Sequence, residues 1–288
     1  MPRFWTVLLL ACCGCTSRSS SGSSPVPPTP TGPPTPAASS SSQRTEALTP
    51  QLVEFPSGAS TLHGFLYRPT GGGPFPAIVF NHGSEALPGA KEGQAQFYVP
   101  HGFVLFVPHR RGHGRSKDAG AHIDTKLGDP QAFADELVAQ SDDVLAAIEY
   151  VATQGFVDAK RIAVAGCSLG GIESLFAAQR STRIVAAVDF AGAAITWARM
   201  PPLQERMKQA AREAKVPVFF IQAENDFDTT PSRVLSQEMR SHGKPMRVHI
   251  FPPNGSSAKE GHGFCMGGAA PPWGEEVLAF LQENLPAR

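Results

Sequence analysis

Lys160-Arg161-Ile162-Ala163-Val164-Ala165-Gly166-Cys167-Ser168-Leu169-Gly170-Gly171-Ile172-Glu173-Ser174-Leu175-Phe176-Ala177-Ala178-Gln179 is the stretch that decides the fold. Its opening residues run into a short apolar segment of strand type, and its closing residues are helix formers. Between them stands G-x-S-x-G with Ser168 at the centre. A strand-to-helix turn this tight brings together the residues two before and two after the serine. Side chains there would collide, so Gly166 and Gly170 flank it. The pattern predicts a nucleophile elbow, a strained serine backbone whose Oγ projects above the carboxyl end of a sheet.

Working outward, apolar strands alternate with helical patterns. Toward the N-terminus, strands are predicted at Gln51 to Phe55 and Thr61 to Arg68, joined at Pro56-Ser57-Gly58-Ala59 as a hairpin. Pro76 to Phe80 is a buried strand ending at Asn81-His82-Gly83-Ser84, and Lys91 to His101 a short helix. Gly102 to Val107 is a further strand, ending at Pro108-His109-Arg110-Arg111-Gly112-His113-Gly114-Arg115-Ser116. Leu137, Val144, Leu145, Ile148 and Val151 recur at helical spacing within Phe133 to Thr153. Beyond the elbow, strands are predicted at Ile184 to Phe190, Val216 to Gln222 and Met246 to Phe251. Helices are predicted at Pro201 to Ala214, Pro231 to Ser241 and Trp273 to Glu283, with His262 on a loop. This alternation predicts an α/β domain, a mostly parallel central sheet with helices on both faces. Ligands of such sheets bind at the carboxyl ends of the strands, where the motifs above fall.

A serine hydroxyl is a weak nucleophile without an adjacent base. Of nine histidines, His262 follows the last strand in Glu260-Gly261-His262-Gly263-Phe264, where small neighbours let a loop carry it over the elbow. The base in turn needs an orienting carboxylate. Asp226 follows the Val216 to Gln222 strand and is favoured, with Asp228 and Glu224 as alternatives. Ser168, Asp226 and His262 then run in the order Ser…Asp…His. Two backbone donors are needed for an oxyanion. The Leu169 N–H is one, and the Ser84 N–H in His82-Gly83-Ser84 is the other, with His82 read as structural. Arg110, Arg111 and Arg115 are read as structural hydrogen-bond donors near the rim, ahead of substrate contact. Ala193 to Leu203 is the nearest approach to a cap, in which Trp197 and Met200 either line an acyl pocket or simply pack. This chemistry requires no metal and no organic cofactor.

The chain has 288 residues and a formal net charge of zero, which argues against nucleic acid as a partner. Residues 1–12 read as a lipoprotein-type signal segment: Arg3, the apolar run Phe4 to Ala11, then Cys12. That run is too short to span a bilayer. Leu9-Leu10-Ala11-Cys12 resembles a bacterial lipobox, whose cysteine is diacylated and becomes the mature N-terminus, and Cys15 offers a second site. Residues 13–45, rich in Ser, Pro and Thr, read as a disordered tether. Residues 46–288 form the folded domain. The expected location is extracytoplasmic, anchored to a membrane through the Cys12 lipid, with a cleaved secretory signal as the alternative. Of five cysteines, only Cys167 and Cys265 lie in the domain; beside Ser168 and near His262 they can be close in space, yet they are read as two free, mostly buried thiols in preference to one bridge.

Asn81-His82-Gly83, Arg110-Arg111-Gly112-His113-Gly114-Arg115-Ser116, Gly166-Cys167-Ser168-Leu169-Gly170-Gly171, Glu224-Asn225-Asp226 and Gly261-His262-Gly263-Phe264 together resemble the α/β-hydrolase superfamily. They are most similar to the dienelactone-hydrolase family and to the catalytic domains of prolyl-oligopeptidase-type peptidases, over about Leu48 to Leu285. The resemblance implies the α/β-hydrolase fold and acyl transfer from a small-molecule ester to water through an acyl-Ser168 intermediate. Founding dienelactone hydrolases carry cysteine at the nucleophile position, whereas this chain has Ser168, which favours an ordinary serine esterase. The rivals are a peptidase of the prolyl-oligopeptidase type and a catalytically inactive binding module.

Overall fold

The computed structural model describes residues 48–287. The expected lipid site Cys12 and the expected tether lie outside the described residues. Gln51–Ser57 (β1) and Ser60–Tyr67 (β2) form the predicted hairpin, followed by Phe75–Asn81 (β3), Val104–His109 (β4) and Val157–Cys167 (β5). Ile184–Phe190 (β6), Val218–Ala223 (β7) and Met246–Phe251 (β8) complete one eight-stranded sheet, ordered β1-β2-β4-β3-β5-β6-β7-β8. The pairs β1/β2 and β2/β4 are antiparallel, and every pair from β4 to β8 is parallel.

Helices cover both faces, as the alternating pattern predicts. Glu92–Tyr98 (α1) and Gly274–Asn284 (α7) pack on one side, where Ile78, Phe80, Leu105, Val107, Ala163 and Ala165 point. Pro130–Ala152 (α2), Leu169–Arg180 (α3), Pro201–Glu213 (α4) and Thr230–Ser241 (α5) pack on the other, against Ala77, Val79, Phe106, Ile162, Val164 and Phe220. Successive strand residues thus bury to opposite sides, which is why the central strands read as unbroken apolar runs. Helix α2 starts three residues ahead of its apolar stripe. Asp129 caps it by accepting from the Gln131 and Ala132 N–H groups at 3.0 Å, and Pro130 occupies the first turn. No helix among the described residues is long and apolar enough to cross a membrane.

Three expectations resolve or change. Trp197 and Met200 are buried in the α2–α5 core, the packing role among the two expected. His262 is carried by a short helix, Ala258–His262 (α6), where a loop was expected. A capping box explains it: the Ser257 hydroxyl accepts from the Glu260 N–H while the Glu260 carboxylate accepts from the Ser257 N–H. Finally, Cys167 and Cys265 form a disulfide, 98 residues apart in sequence with Cα atoms 5.8 Å apart, and are not free thiols. The sheet brings the end of β5 under the segment after β8, the closeness that their places beside Ser168 and His262 allow, and the two sulfurs pair.

Candidate active site

Ser168 sits between β5 and α3 with φ 58° and ψ −119°, a backbone conformation that costs energy for any residue with a side chain. The packing holds it there. A Cβ on Gly170 would overlap the Asn81 carbonyl oxygen, and one on Gly166 would overlap the Gly170 carbonyl. Both glycines are therefore required by the turn, as the spacing predicts. The Ser168 N–H donates to the Phe190 carbonyl at 2.9 Å, tying the apex to β6.

The His262 imidazole Nδ1 meets the Asp226 carboxylate Oδ1 at 2.9 Å, with the Asp226 side chain fully buried and that of His262 15% exposed. Asp226 is fixed from two further directions. The Phe227 N–H donates to Oδ1 at 2.6 Å, and Gln222 Nε2 donates to Oδ2 at 2.9 Å. Gln222 is itself held by the Ser232 hydroxyl, which donates to Oε1 at 2.8 Å. Asp228, the alternative acid, accepts from the Thr230 N–H at 2.8 Å at the start of α5, and Glu224 is exposed. Sequence reasoning missed Gln222. Its signal was a buried polar residue inside the apolar run Val218–Ala223, which burial alone does not tolerate without partners.

Leu169 is the first residue of α3, so its N–H lies among those that a helix leaves unpaired. Ser84 follows Gly83 in the loop after β3, and a Cβ on Gly83 would stand 3.5 Å from the Cys167 carbonyl. That loop therefore abuts the elbow. Among the described residues, neither N–H is donated to a backbone carbonyl. Fully buried Arg110 braces the loop from beneath, with Nη1 donating to the His82 carbonyl at 2.8 Å and Nη2 to the Gly83 carbonyl at 2.9 Å. His82 Nδ1 donates to the Gly83 carbonyl and Nε2 accepts from the Arg110 N–H, so His82 is structural, as expected. Arg111 forms a two-pronged pair with the buried Asp143, at 2.6 and 2.9 Å. Burial and the Arg110 charge push the pKa of His113, whose ring lies tilted against His82 with centroids 4.9 Å apart, down to about 4. Among the described residues, no three His, Cys, Asp or Glu side chains converge as metal ligands.

Phe227, in the turn after β7, presents an exposed apolar side chain at the site. The Phe227 ring lies edge-on to His262 with centroids 5.7 Å apart.

The dienelactone hydrolase family model matches residues 62–268. The chain belongs to that family. Among curated proteins, it is 26% identical over 209 residues to Protein usf of Aquifex pyrophilus, covering 70% of this chain and 83% of that one. Among solved structures, a candidate dienelactone hydrolase of Klebsiella pneumoniae superposes with a TM-score of 0.60 at 18% identity, covering 82% of this chain and 98% of that chain. A puromycin-hydrolyzing peptidase of Mycobacterium tuberculosis superposes with a TM-score of 0.65 at 19% identity, covering 84% of this chain and 40% of the other. The acylaminoacyl peptidase of Pyrococcus horikoshii gives 0.63 at 18% identity, covering 83% and 42%. This chain thus spans about two fifths of each peptidase. The solved structures establish the α/β-hydrolase fold, and the family match places the chain among hydrolases.

Proposed function

We propose that this protein is a serine hydrolase that cleaves carboxylic esters carrying an apolar group, through an acyl-Ser168 intermediate. The observation that carries the reading is the Asp226–His262 contact at 2.9 Å, on a segment bonded covalently beside the Ser168 elbow. The Nδ1–H donated to Asp226 leaves Nε2 as the free base. Nε2 takes the Ser168 proton as Oγ attacks the ester carbonyl, and the Leu169 and Ser84 N–H groups receive the oxyanion. Protonated His262 then gives its proton to the departing alkoxide. Water, activated by the same nitrogen, frees the acid and restores Ser168.

The exposed Phe227 ring, edge-on to His262, supports an apolar acyl or alcohol group. A fluorophosphonate probe should label the native chain and not Ser168→Ala. Equal labelling of the two would sink the assignment. The peptidase neighbours support a second reading, cleavage of aminoacyl amides by the same serine. Turnover of aminoacyl anilides at rates matching nitrophenyl esters would favour it.

We further propose that Cys12 is lipidated and holds the domain outside the cytoplasm. The Leu9-Leu10-Ala11-Cys12 run supports this, as does a disulfide of the kind that persists in oxidising compartments. Several acyl chains anchor a protein firmly, so Cys12→Ser should shift it from the membrane to the soluble fraction. Unchanged fractionation would refute this, and release into the medium would favour a secreted form.

A further inference from the structure

The segment that carries His262 is tied down in several places, and the destinations of the ties differ. Toward β7, the Asn225 side chain accepts from the Asn254 N–H at 2.8 Å and donates to the Ser257 carbonyl at 3.0 Å. A Cβ on Gly261 would overlap the Asn225 backbone, so the residue before His262 lies against the Asp226 turn itself. Toward α1, Gln94 Nε2 donates to the Cys265 carbonyl at 2.7 Å. Toward α7, Trp273 Nε1 donates to the Phe264 carbonyl at 2.9 Å. All of these hold the histidine to its acid or to the outer layer. Among the described residues, no hydrogen bond or ion pair joins residues 252–272 to β5 or α3. Beyond apolar packing in the shared core, the link among the described residues to the strand that presents Ser168 is the Cys167–Cys265 disulfide. It is placed for that purpose, because Cys167 precedes Ser168 and Cys265 follows His262 by three residues.

We propose that the Cys167–Cys265 disulfide is the positioning element that sets His262 over Ser168, so that acyl transfer requires the oxidised bridge. This rests on the reading of Ser168 and His262 as nucleophile and base. The two halves of the triad respond differently. The Asp226–His262 contact is kept by the Asn225 and Gly261 ties, and the Ser168–His262 approach depends on the bridge. Misplacing a reacting group by about 1 Å costs on the order of a hundredfold in rate, so an effect of roughly ten- to a hundredfold is expected. Cys167 is partly buried and Cys265 is buried.

The test is reduction of the full chain with dithiothreitol at a temperature where circular dichroism shows both forms folded. The two sulfurs gain two electrons and two protons from the two thiols of the reagent, which closes into a cyclic disulfide. The rate of fluorophosphonate labelling at Ser168, and kcat for a short nitrophenyl ester, should fall roughly ten- to a hundredfold. Oxidised glutathione should restore both. The downfield proton resonance of the Nδ1–H donated to Asp226 should persist in the reduced form, which a general loosening would erase. The double variant Cys167→Ala with Cys265→Ala should behave as the reduced chain and ignore the reductant. Equal labelling rates before and after reduction would overturn the proposal and leave the bridge a stabiliser only. Loss of the downfield resonance together with activity would also overturn it. Labelling of neither form would overturn the serine-hydrolase reading itself, and this inference with it.

Discussion

Replacing Glu173 by glutamine should change how stability depends on pH while leaving the fold intact. Glu173 lies on α3 behind the elbow, fully buried, and neither carboxylate oxygen has a hydrogen-bond partner. Burial pushes its carboxyl up from the ordinary 4.5 to about 8, against the opposing pull of the Arg110 charge. A folded-state value above the unfolded one means that the folded chain binds this proton more tightly. The resulting stability is complete below about pH 4.5 and is lost as pH rises toward 8. Each pH unit in that interval costs about 1.4 kcal/mol, so the whole span is on the order of 5 kcal/mol, and roughly 3 kcal/mol of it is already lost at pH 7. Glutamine has the same shape and does not ionise. Its buried amide adds an offset that does not vary with pH, so the slope is the quantity to read. Urea unfolding of both chains should show the stability of Glu173→Gln relative to native rising by about 3–4 kcal/mol between pH 5 and 8. Other titrating groups, among them Asp189 and His113, are common to both chains and cancel. A difference that stays flat across this range would refute the reasoning. A native chain that gains on the variant at high pH would mean that Glu173 is an ionised partner of Arg110.

Further expectations concern the site. Asp226→Asn should lower kcat by about 10⁴, because the amide favours the wrong histidine tautomer, whereas Asp228→Asn should be mild because that side chain serves the start of α5. Steady-state kinetics of the two variants decide, and the reverse ranking would move the acid by two residues. Ser84→Ala keeps the backbone N–H and should retain most activity, while Ser84→Pro removes the donor and should cost about 10²–10³ in kcat. Comparable losses in both would assign the role to the side chain. Phe227 is 52% exposed. Phe227→Ala should raise KM for long-chain esters about fivefold, the equivalent of roughly 1 kcal/mol of lost apolar contact, and leave acetate esters unaffected. A uniform effect on both would exclude Phe227 from the acyl site.

What the sequence by itself determined was local. The glycines around Ser168 are dictated by overlaps within a few residues of the turn and a short reach to Asn81, so the motif spells out its own geometry. The strands and helices follow from periodicity, and sheet class from their alternation, because burial on both faces leaves the middles of β3 to β7 predominantly apolar, with few polar positions to disguise them. Ser168 and His262 were legible because their places at strand ends follow from element order alone. Which acid meets the histidine was legible only as a preference for Asp226 over its neighbours. Asp226 and Asp228 differ by two residues on one turn, and the choice is made by Gln222 and by the first turn of α5, whose positions depend on packing. Glu173 looks like an ordinary polar residue of an exposed helix, and only the burial of α3 between the sheet and its neighbouring helices turns it into a charge problem. The Cys167–Cys265 bridge was read as two free thiols for the same reason. Its partners lie 98 residues apart, and pairing at that separation is set by strand order and by the path of the segment after β8. Those are properties of the assembled sheet, and no local stretch of chain encodes them.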